Sequence, residues 1–337
     1  IIKLVLLFIS FSRNSSLHLN SPFKLKSVVE YPLIILMSFN SIPVFSMPDI
    51  ENRNQETIDS LYEALTTHGF FTITDHGIKD EVLASSYKVS KEFFDLSEDI
   101  KNNYAHPEVA GARGYTPFGK ETAVGEKTPD LKEFWHHGPV IDESFDDRVP
   151  KNIFVSELAN FNGQFDLLFN QLNMLGIKVL SAIAVILGKD PDFFNNWALK
   201  GNSILRLIHY PPINDNTNIM RARAHADINL ITLLVGAEES GLEVQHPSGG
   251  WIPIQARNKS IVCNIGDMMQ LVTRSKLKST SHRVVDHNID KSSSRYSMPF
   301  FLHPSPDIEL CSIVDDSQDS ISAHDFLEER LRAIKLY

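Results

Sequence analysis

Arg221 to Val235 reads RARAHADINLITLLV and places His225 and Asp227 two residues apart at the head of a β-branched, apolar run. On a strand, a spacing of two turns both side chains to one face. An imidazole and a carboxylate that converge on one point, joined by a third ligand from elsewhere, form the two-histidine, one-carboxylate set that leaves three positions open on non-haem Fe(II). The third ligand should be a later histidine on another strand. His282, in the alternating stretch KSTSHRVV, follows Asp227 by 55 residues and suits that role. Any one of the 13 histidines taken alone is more often a surface or core residue than a ligand, so the spacing and context of the trio carry the reading.

Thirteen residues beyond His282 come Arg295, Tyr296 and Ser297. Arg295 and Ser297 share one face of a strand, where a guanidinium fork and a hydroxyl can grip a carboxylate. In order, the chain carries HAD at 225–227, GLEV at 241–244, NIGD at 264–267, STSHRVV at 279–285 and RYSMPFF at 295–301. Together these pieces resemble the isopenicillin N synthase-like family of Fe(II)/2-oxoglutarate-dependent oxygenases, whose signature is His-x-Asp, a later His and then Arg-x-Ser. The resemblance implies a double-stranded β-helix, or jelly roll, in which His225, Asp227 and His282 hold Fe(II). It also implies that Arg295 and Ser297 hold the distal carboxylate of 2-oxoglutarate, with a hydroxyl added by Tyr210 of RLIHYPP. In the implied reaction O₂ is consumed, 2-oxoglutarate leaves as succinate and CO₂, and a small organic molecule is hydroxylated or desaturated. The family's asparagine two positions before that tyrosine is Ile208 here, so one polar contact to the metal-proximal end of the co-substrate is missing.

Two other readings stay open on the motifs alone. An oxidase of the isopenicillin N synthase type, or one using ascorbate, keeps the same ligands and the Arg-x-Ser pair while dispensing with 2-oxoglutarate. A non-catalytic metal-binding protein is the other, although such a scaffold has no use for an intact Arg-x-Ser beside an intact triad.

Ligands from distant strands need a rigid frame. Ser203–Tyr210, Ile231–Val235, Leu242–Gln245, Trp251–Ile254, Ser260–Ile265, Met268–Thr273, Ser281–Val285 and Tyr296–Leu302 are short apolar runs, and Gly, Pro, Asn or Asp punctuates most gaps between them. Eight such strands fit a two-sheet jelly roll with an enclosed cavity. Helical spacing appears over Glu56–Thr67, Glu81–Leu96 and Phe154–Leu187, with a short cap around Phe193, Phe194 and Trp197. The expected fold is therefore mainly β with flanking helices: a jelly roll braced by N-terminal and central helices. Ile42–Val44 reads as an edge strand and Phe70–Thr74 as a second strand, followed by a turn in which His76 is a capping residue rather than a ligand.

Residues 37–152 then form an N-terminal helical and strand region, 153–200 the bracing helices, 201–305 the oxygenase core and 306–337 a C-terminal helix. Ala110 to Gly138 is rich in Gly, Pro and charge and too long to be an idle connection. Similar segments in the family run from a loop at the active-site mouth into a short strand. That makes Arg113, Tyr115, Trp135 and His137 candidates for the substrate pocket. Arg221 and Arg223 share the strand parity of His225, and Arg223 joins the list as a contact for an anionic substrate.

The 337 residues are 42% apolar, enough for a sizeable core, and the net charge of −10 argues against nucleic-acid or acidic-lipid partners. Two cysteines in so long a chain exclude a disulfide framework and point to a reducing, cytoplasmic setting. We expect a monomer acting on a small molecule, with no membrane association. IIKLVLLFISF at the start is too short to span a bilayer, and Met37 opens a stretch, MSFNSIPVF, similar to the family's usual beginning. Residues 1–36 are expected to lie outside the fold.

Overall fold

The computed structural model describes residues 41–106, 111–121, 130–212, 221–236, 241–254, 259–285 and 293–333, so the expected extension over 1–36 lies outside the described residues. The described residues open with β1 (Val44–Ser46), α1 (Met47–Asn52), α2 (Gln55–Thr67), β2 (Phe70–Thr74), α3 (Asp80–Phe94) and α4 (Glu98–Asn102). Sequence reading missed α1, which has local causes: Ser46 accepts from the Asp49 amide as N-cap, and Pro48 stands in the first turn. Next come β3 (Gly114–Thr116), β4 (Glu133–His137), α5 (Phe161–Ile186), α6 (Asn195–Ala198) and β5 (Ile204–Tyr210). The remainder is β6 (Ala222–His225), β7 (Ile231–Val235), β8 (Leu242–Gln245), β9 (Trp251–Pro253), β10 (Ile261–Ile265), α7 (Asp267–Val272), β11 (His282–Val284), β12 (Arg295–Leu302) and α8 (Ala323–Ala333).

Two differences from the sequence reading have clear causes. The long helix begins at Phe161 rather than Phe154, because the Asn162 side chain captures the preceding segment through the Val155 amide at 3.0 Å and the Ile153 carbonyl at 2.8 Å. The run Met268–Thr273 is helix, not strand. Met268, Met269 and Val272 bury one side of a turn that Gly266 opens, and a Cβ at Gly266 would stand 2.1 Å from the Asn229 carbonyl oxygen. The place of that strand in the jelly roll is taken by β6.

The strands form an eight-stranded sheet in the order β1-β2-β10-β7-β12-β5-β4-β3 and a four-stranded sheet in the order β6-β11-β8-β9. The large sheet has two unlike faces. Ile73, Leu205, Leu207, Leu233, Cys263, Phe300 and Leu302 point one way and pack with α5 residues such as Phe165, Phe169 and Leu172 into the main core. α5 would by length and composition cross a membrane, yet here it is the spine beneath the sheet. Gly176 lets it sit close, since a Cβ there would approach Leu302 to 2.4 Å. On the other face Phe70 and Val262 meet Leu242, Val244, Ile252 and Val284 of the small sheet in a second, smaller core. The site lies on this second face, between the sheets.

Candidate active site

β11 pairs antiparallel with β6 so that His282 stands directly opposite His225, with ring centroids 4.4 Å apart. Asp227 is not on that strand. β6 ends at His225, and Asp227 follows in the segment leading to β7, so strand parity does not bring the two together. Hydrogen bonds do. Asp227 Oδ2 accepts from Thr232 Oγ1 at 2.6 Å and from Asn264 Nδ2 at 2.8 Å, and Asn229 Nδ2 approaches Thr232 Oγ1 at 3.1 Å. Its other oxygen, Oδ1, lies 3.9 Å from His225 Nε2 and 3.7 Å from His282 Nε2.

The tautomers follow from the opposite ring nitrogens. His225 Nδ1 faces the Arg223 carbonyl at 2.7 Å and His282 Nδ1 the Thr280 carbonyl at 3.3 Å. A carbonyl only accepts, so Nδ1 carries a proton in each ring and Nε2 is the nitrogen available to a metal beside Asp227 Oδ1. Loss of hydration on the ring's enclosed side, with help from nearby His282 and against Asp227, lowers His225 from its ordinary value, so its ring is neutral near pH 7. Burial alone would raise Asp227, but His282, His225 and the two hydrogen bonds outweigh it and keep the carboxylate ionised. The three ligand atoms lie within 4.8 Å of one another. Two imidazole nitrogens and one carboxylate oxygen gathered on one side are a donor set that fits Fe(II). His282 and Asp227 are enclosed, with Phe70 edge-on to His282 at 5.4 Å, whereas the His225 side chain stays 43% accessible and leaves the metal position an opening.

Arg295, Ser297 and Tyr210 lie on the neighbouring strands β12 and β5. Arg295 is opposite Tyr210 and Ser297 opposite Ile208. All four are buried, and the guanidinium lies 5.9 Å from the centre of the Tyr210 ring. Arg295 and Ser297 face away from the helices, because Tyr296 and Met298 between and beside them belong to the main core. Ile208 packs with Phe134 and Tyr210 on the cavity side.

The substrate candidates on β3 and β4 are corrected. Trp135 is fully buried against Phe93 and Phe161, each at 5.0 Å between ring centroids. Tyr115 donates to Glu133 at 2.5 Å and His137 Nε2 meets Asp166 of α5 at 2.7 Å. These side chains point to the helical layer, since Tyr115 pairs with Trp135 and the odd-numbered residues of β4 share its outward parity. Arg113 is buried too, held to Asn202 Oδ1 at 2.9 Å and the Ala112 carbonyl at 2.7 Å, and burial lowers it to about 9.

The alternate residues are the ones that reach the cavity. Phe134 is opposite Ile208 and His136 opposite Arg206. Arg206 lies over Phe134 at 4.3 Å, donates from Nε to His136 Nε2 at 2.6 Å and meets Glu121 at 3.0 Å. Lys132 bridges Glu121 at 2.6 Å and Asp130 at 3.1 Å, and Asp130 accepts from Arg223 at 3.2 Å. Of the sequence candidates, Arg223 thus joins this wall, while Arg221 is buried with its guanidinium 3.5 Å from the Ser293 carbonyl. Burial alone would raise Glu121, but Arg206 and Lys132 hold it far below the usual carboxylate range. The parity of Tyr210 was the available signal, because pairing β4 with β5 puts Lys132, Phe134 and His136 on its side.

Residues 201–304 match the model of the 2OG-Fe(II) oxygenase superfamily, and residues 42–156 match that of the N-terminal region of non-haem dioxygenases in morphine synthesis. A 2-oxoglutarate-dependent dioxygenase of Didymella fabae is 30% identical over 84% of this chain and 95% of its own length. A second, from Monascus ruber, is 31% identical over 89% of this chain and 97% of its own. Among solved structures, a protein assigned to the 2OG-Fe(II) oxygenase family from Caulobacter crescentus superposes with a TM-score of 0.78 at 38% identity, covering 88% of this chain and 99% of that one. A full-length Neurospora crassa protein, solved in complex with α-ketoglutarate, gives 0.78 at 27% identity over 87% of this chain and 96% of its own. These relatives carry the 2-oxoglutarate reading rather than the oxidase alternative that the motifs leave open. With its ligand set and its sheet order both in place, this chain belongs to the 2OG-Fe(II) oxygenase superfamily and is a 2-oxoglutarate-dependent dioxygenase.

Proposed function

We propose that His225, Asp227 and His282 hold the Fe(II), that Arg295, Ser297 and Tyr210 hold the distal carboxylate of 2-oxoglutarate, and that a small organic molecule enters beside His225. The observation that carries this assignment is the convergence of the three ligand atoms within 4.8 Å of one another, on the face of the large sheet that also carries the buried Arg295 and Ser297. Iron, when bound, supplies the activation of O₂ that couples decarboxylation of 2-oxoglutarate to oxidation of the substrate. The protein's own work is placement. Thr232 and Asn264 occupy Asp227 Oδ2, so Oδ1 is the oxygen offered to the metal. The Arg223 and Thr280 carbonyls hold both histidine rings in the tautomer that ligates. Arg295, buried and delocalised, suits a carboxylate better than a lysine would, because its planar fork bonds two oxygens at once.

The wall of Lys132, Glu121, Asp130, Arg206 and Arg223 is polar and charged, which favours a substrate with polar groups over a plain hydrocarbon. Buried Cys263, whose thiol burial raises, and half-buried Cys311 are both free, in keeping with a reducing, cytoplasmic setting. Mixing the iron-free protein anaerobically with Fe(II) and 2-oxoglutarate should produce a metal-to-ligand charge-transfer band, and admitting O₂ should release succinate. Absence of both signals from folded, iron-loaded protein would refute the assignment.

A further inference from the structure

Arg295, Ser297 and Tyr210 face the cavity, but the residue that grips them lies on the other side of the sheet. His209 precedes Tyr210 on β5 and points toward the helices, where Phe94 of α3 covers it at 5.5 Å between rings. Its ring lies flat on Tyr296, with centroids 4.9 Å apart and planes 12° from parallel. Its Nε2 meets Ser294 Oγ at 3.0 Å. Ser294 and Tyr296 are the chain neighbours of Arg295 on either side. One imidazole therefore holds both flanks of the arginine.

The third contact fixes the ring. Nδ1 faces Glu133 Oε1 at 2.7 Å, and a carboxylate accepts, so that nitrogen carries a proton while Nε2 is bonded to the Ser294 hydroxyl. Glu133 Oε2 is in turn occupied by Lys101 Nζ at 2.7 Å and the Tyr115 hydroxyl at 2.5 Å. Burial alone would raise Glu133, but the bonds from His209, Lys101 and Tyr115 outweigh it and keep the carboxylate charged. Register places the three strands in line, with Glu133 opposite His209 and His209 opposite Tyr296. Glu133 and Lys101 are both almost wholly buried on the side of the sheet that packs against the main apolar core. A buried ion pair of this kind adds little stability over apolar residues of similar volume and is better attested as a device that fixes one arrangement.

We infer that His209, oriented by Glu133, is a positioning residue for the co-substrate carboxylate, clamping Arg295 through Ser294 and Tyr296 and Tyr210 through its own strand. The inference rests on the assignment of Arg295 and Tyr210 to 2-oxoglutarate made above. His209→Phe keeps a flat ring on Tyr296 and removes both hydrogen bonds. It should raise the Kd for 2-oxoglutarate about tenfold, the effect of losing one to two net hydrogen bonds. Iron affinity, measured by chelator competition without 2-oxoglutarate, should not move.

Tyr115→Phe is the control, because it removes another hydrogen bond from the same Glu133 without touching a neighbour of Arg295. It should lower Tm and leave the Kd for 2-oxoglutarate as in the wild type. Both variants and the wild type are titrated anaerobically as Fe(II) protein, reading the charge-transfer band. Wild-type 2-oxoglutarate affinity in His209→Phe overturns the clamp, and so does an equal loss in Tyr115→Phe, which would make the network structural only. If His209→Phe fails to fold, His209→Gln is read the same way. A wild type that gives no band removes the 2-oxoglutarate assignment and this inference with it, whereas a normal wild-type band with unchanged variants removes the clamp alone.

Discussion

The two faces of the eight-stranded sheet ask opposite things of the residues they carry. Toward α5, side chains such as Leu207, Leu233 and Phe300 are completely buried among apolar neighbours, and each contributes mainly through the volume it fills. Toward the small sheet, His282, Asp227, Ser297 and Arg295 are also buried, but there polar groups gather on one face, with Asp227 held by Thr232 and Asn264 and His282 by the Thr280 carbonyl. Stability and binding are thereby carried by opposite sides of the same strands. Substitutions should separate the two properties.

The sharpest separation is at the metal. His225→Ala, Asp227→Ala and His282→Ala should each abolish 2-oxoglutarate-dependent turnover while circular dichroism and Tm stay near those of the iron-free wild type, because none of the three fills the helix-facing core. A His282→Ala protein with normal iron affinity and turnover would erase the distinction at its strongest point.

Next in size is Arg295, proposed above to hold the co-substrate carboxylate. Truncating one partner of a buried, hydrogen-bonded charge pair costs roughly 2 to 5 kcal/mol, and each ~1.4 kcal/mol is tenfold in affinity. Arg295→Gln should therefore weaken 2-oxoglutarate by roughly thirtyfold to several thousandfold with iron binding retained. Superimposable titrations of variant and wild type would take Arg295 out of the site.

The same contrast explains what could be read in advance. The convergence of His225, Asp227 and His282 was legible because metal chemistry demands particular residue types at particular spacings, and the shared face of Arg295 and Ser297 because side chains two apart on a strand point the same way. The β-runs were legible because they are short, apolar and bounded by Gly, Pro, Asn or Asp. Met268–Thr273 deceived because a short apolar run does not by itself distinguish a strand from a helical turn, and the cause of the turn, the close approach of Gly266 to Asn229, is a tertiary contact. Trp135 and His137 deceived for a different reason. A strand shows which residues share a face, but only the pairing of Phe134 with Ile208 tells which face is the cavity.

On the helix-facing side the expectation reverses. Trp135 is fully buried between Phe93, Tyr104 and Phe161. Trp135→Ala should cost about 3–5 kcal/mol in chemical denaturation, as removal of a large aromatic from a core does. The fraction that remains folded should titrate 2-oxoglutarate as the wild type does. Loss of co-substrate affinity without loss of stability would mean that Trp135 lines the pocket after all.

The smallest effect concerns His303, which follows β12 at the end of the large sheet and is buried with no hydrogen bond at Nδ1 among the described residues. Burial lowers it from an ordinary 6.5 to about 4, with Asp227 pulling the other way and Arg113 adding to the fall. Between those values the unfolded chain binds a proton that the folded chain does not, so the stability gained from this histidine is complete above about 6.5 and is lost as pH falls toward 4. Going from pH 7.5 to 5.5 should cost about 1.4 kcal/mol through this group alone, one unit below its unfolded value. Other buried histidines, His136 and His137 among them, are lowered in the same way and add to the total in wild type and variant alike. Urea unfolding of iron-free protein at the two pH values should therefore show a smaller loss in His303→Gln than in the wild type, by about that amount. Equal losses in the two proteins would show that His303 takes up its proton in the folded state, and the end of the sheet would then have to be counted with the accessible cavity rather than with the core.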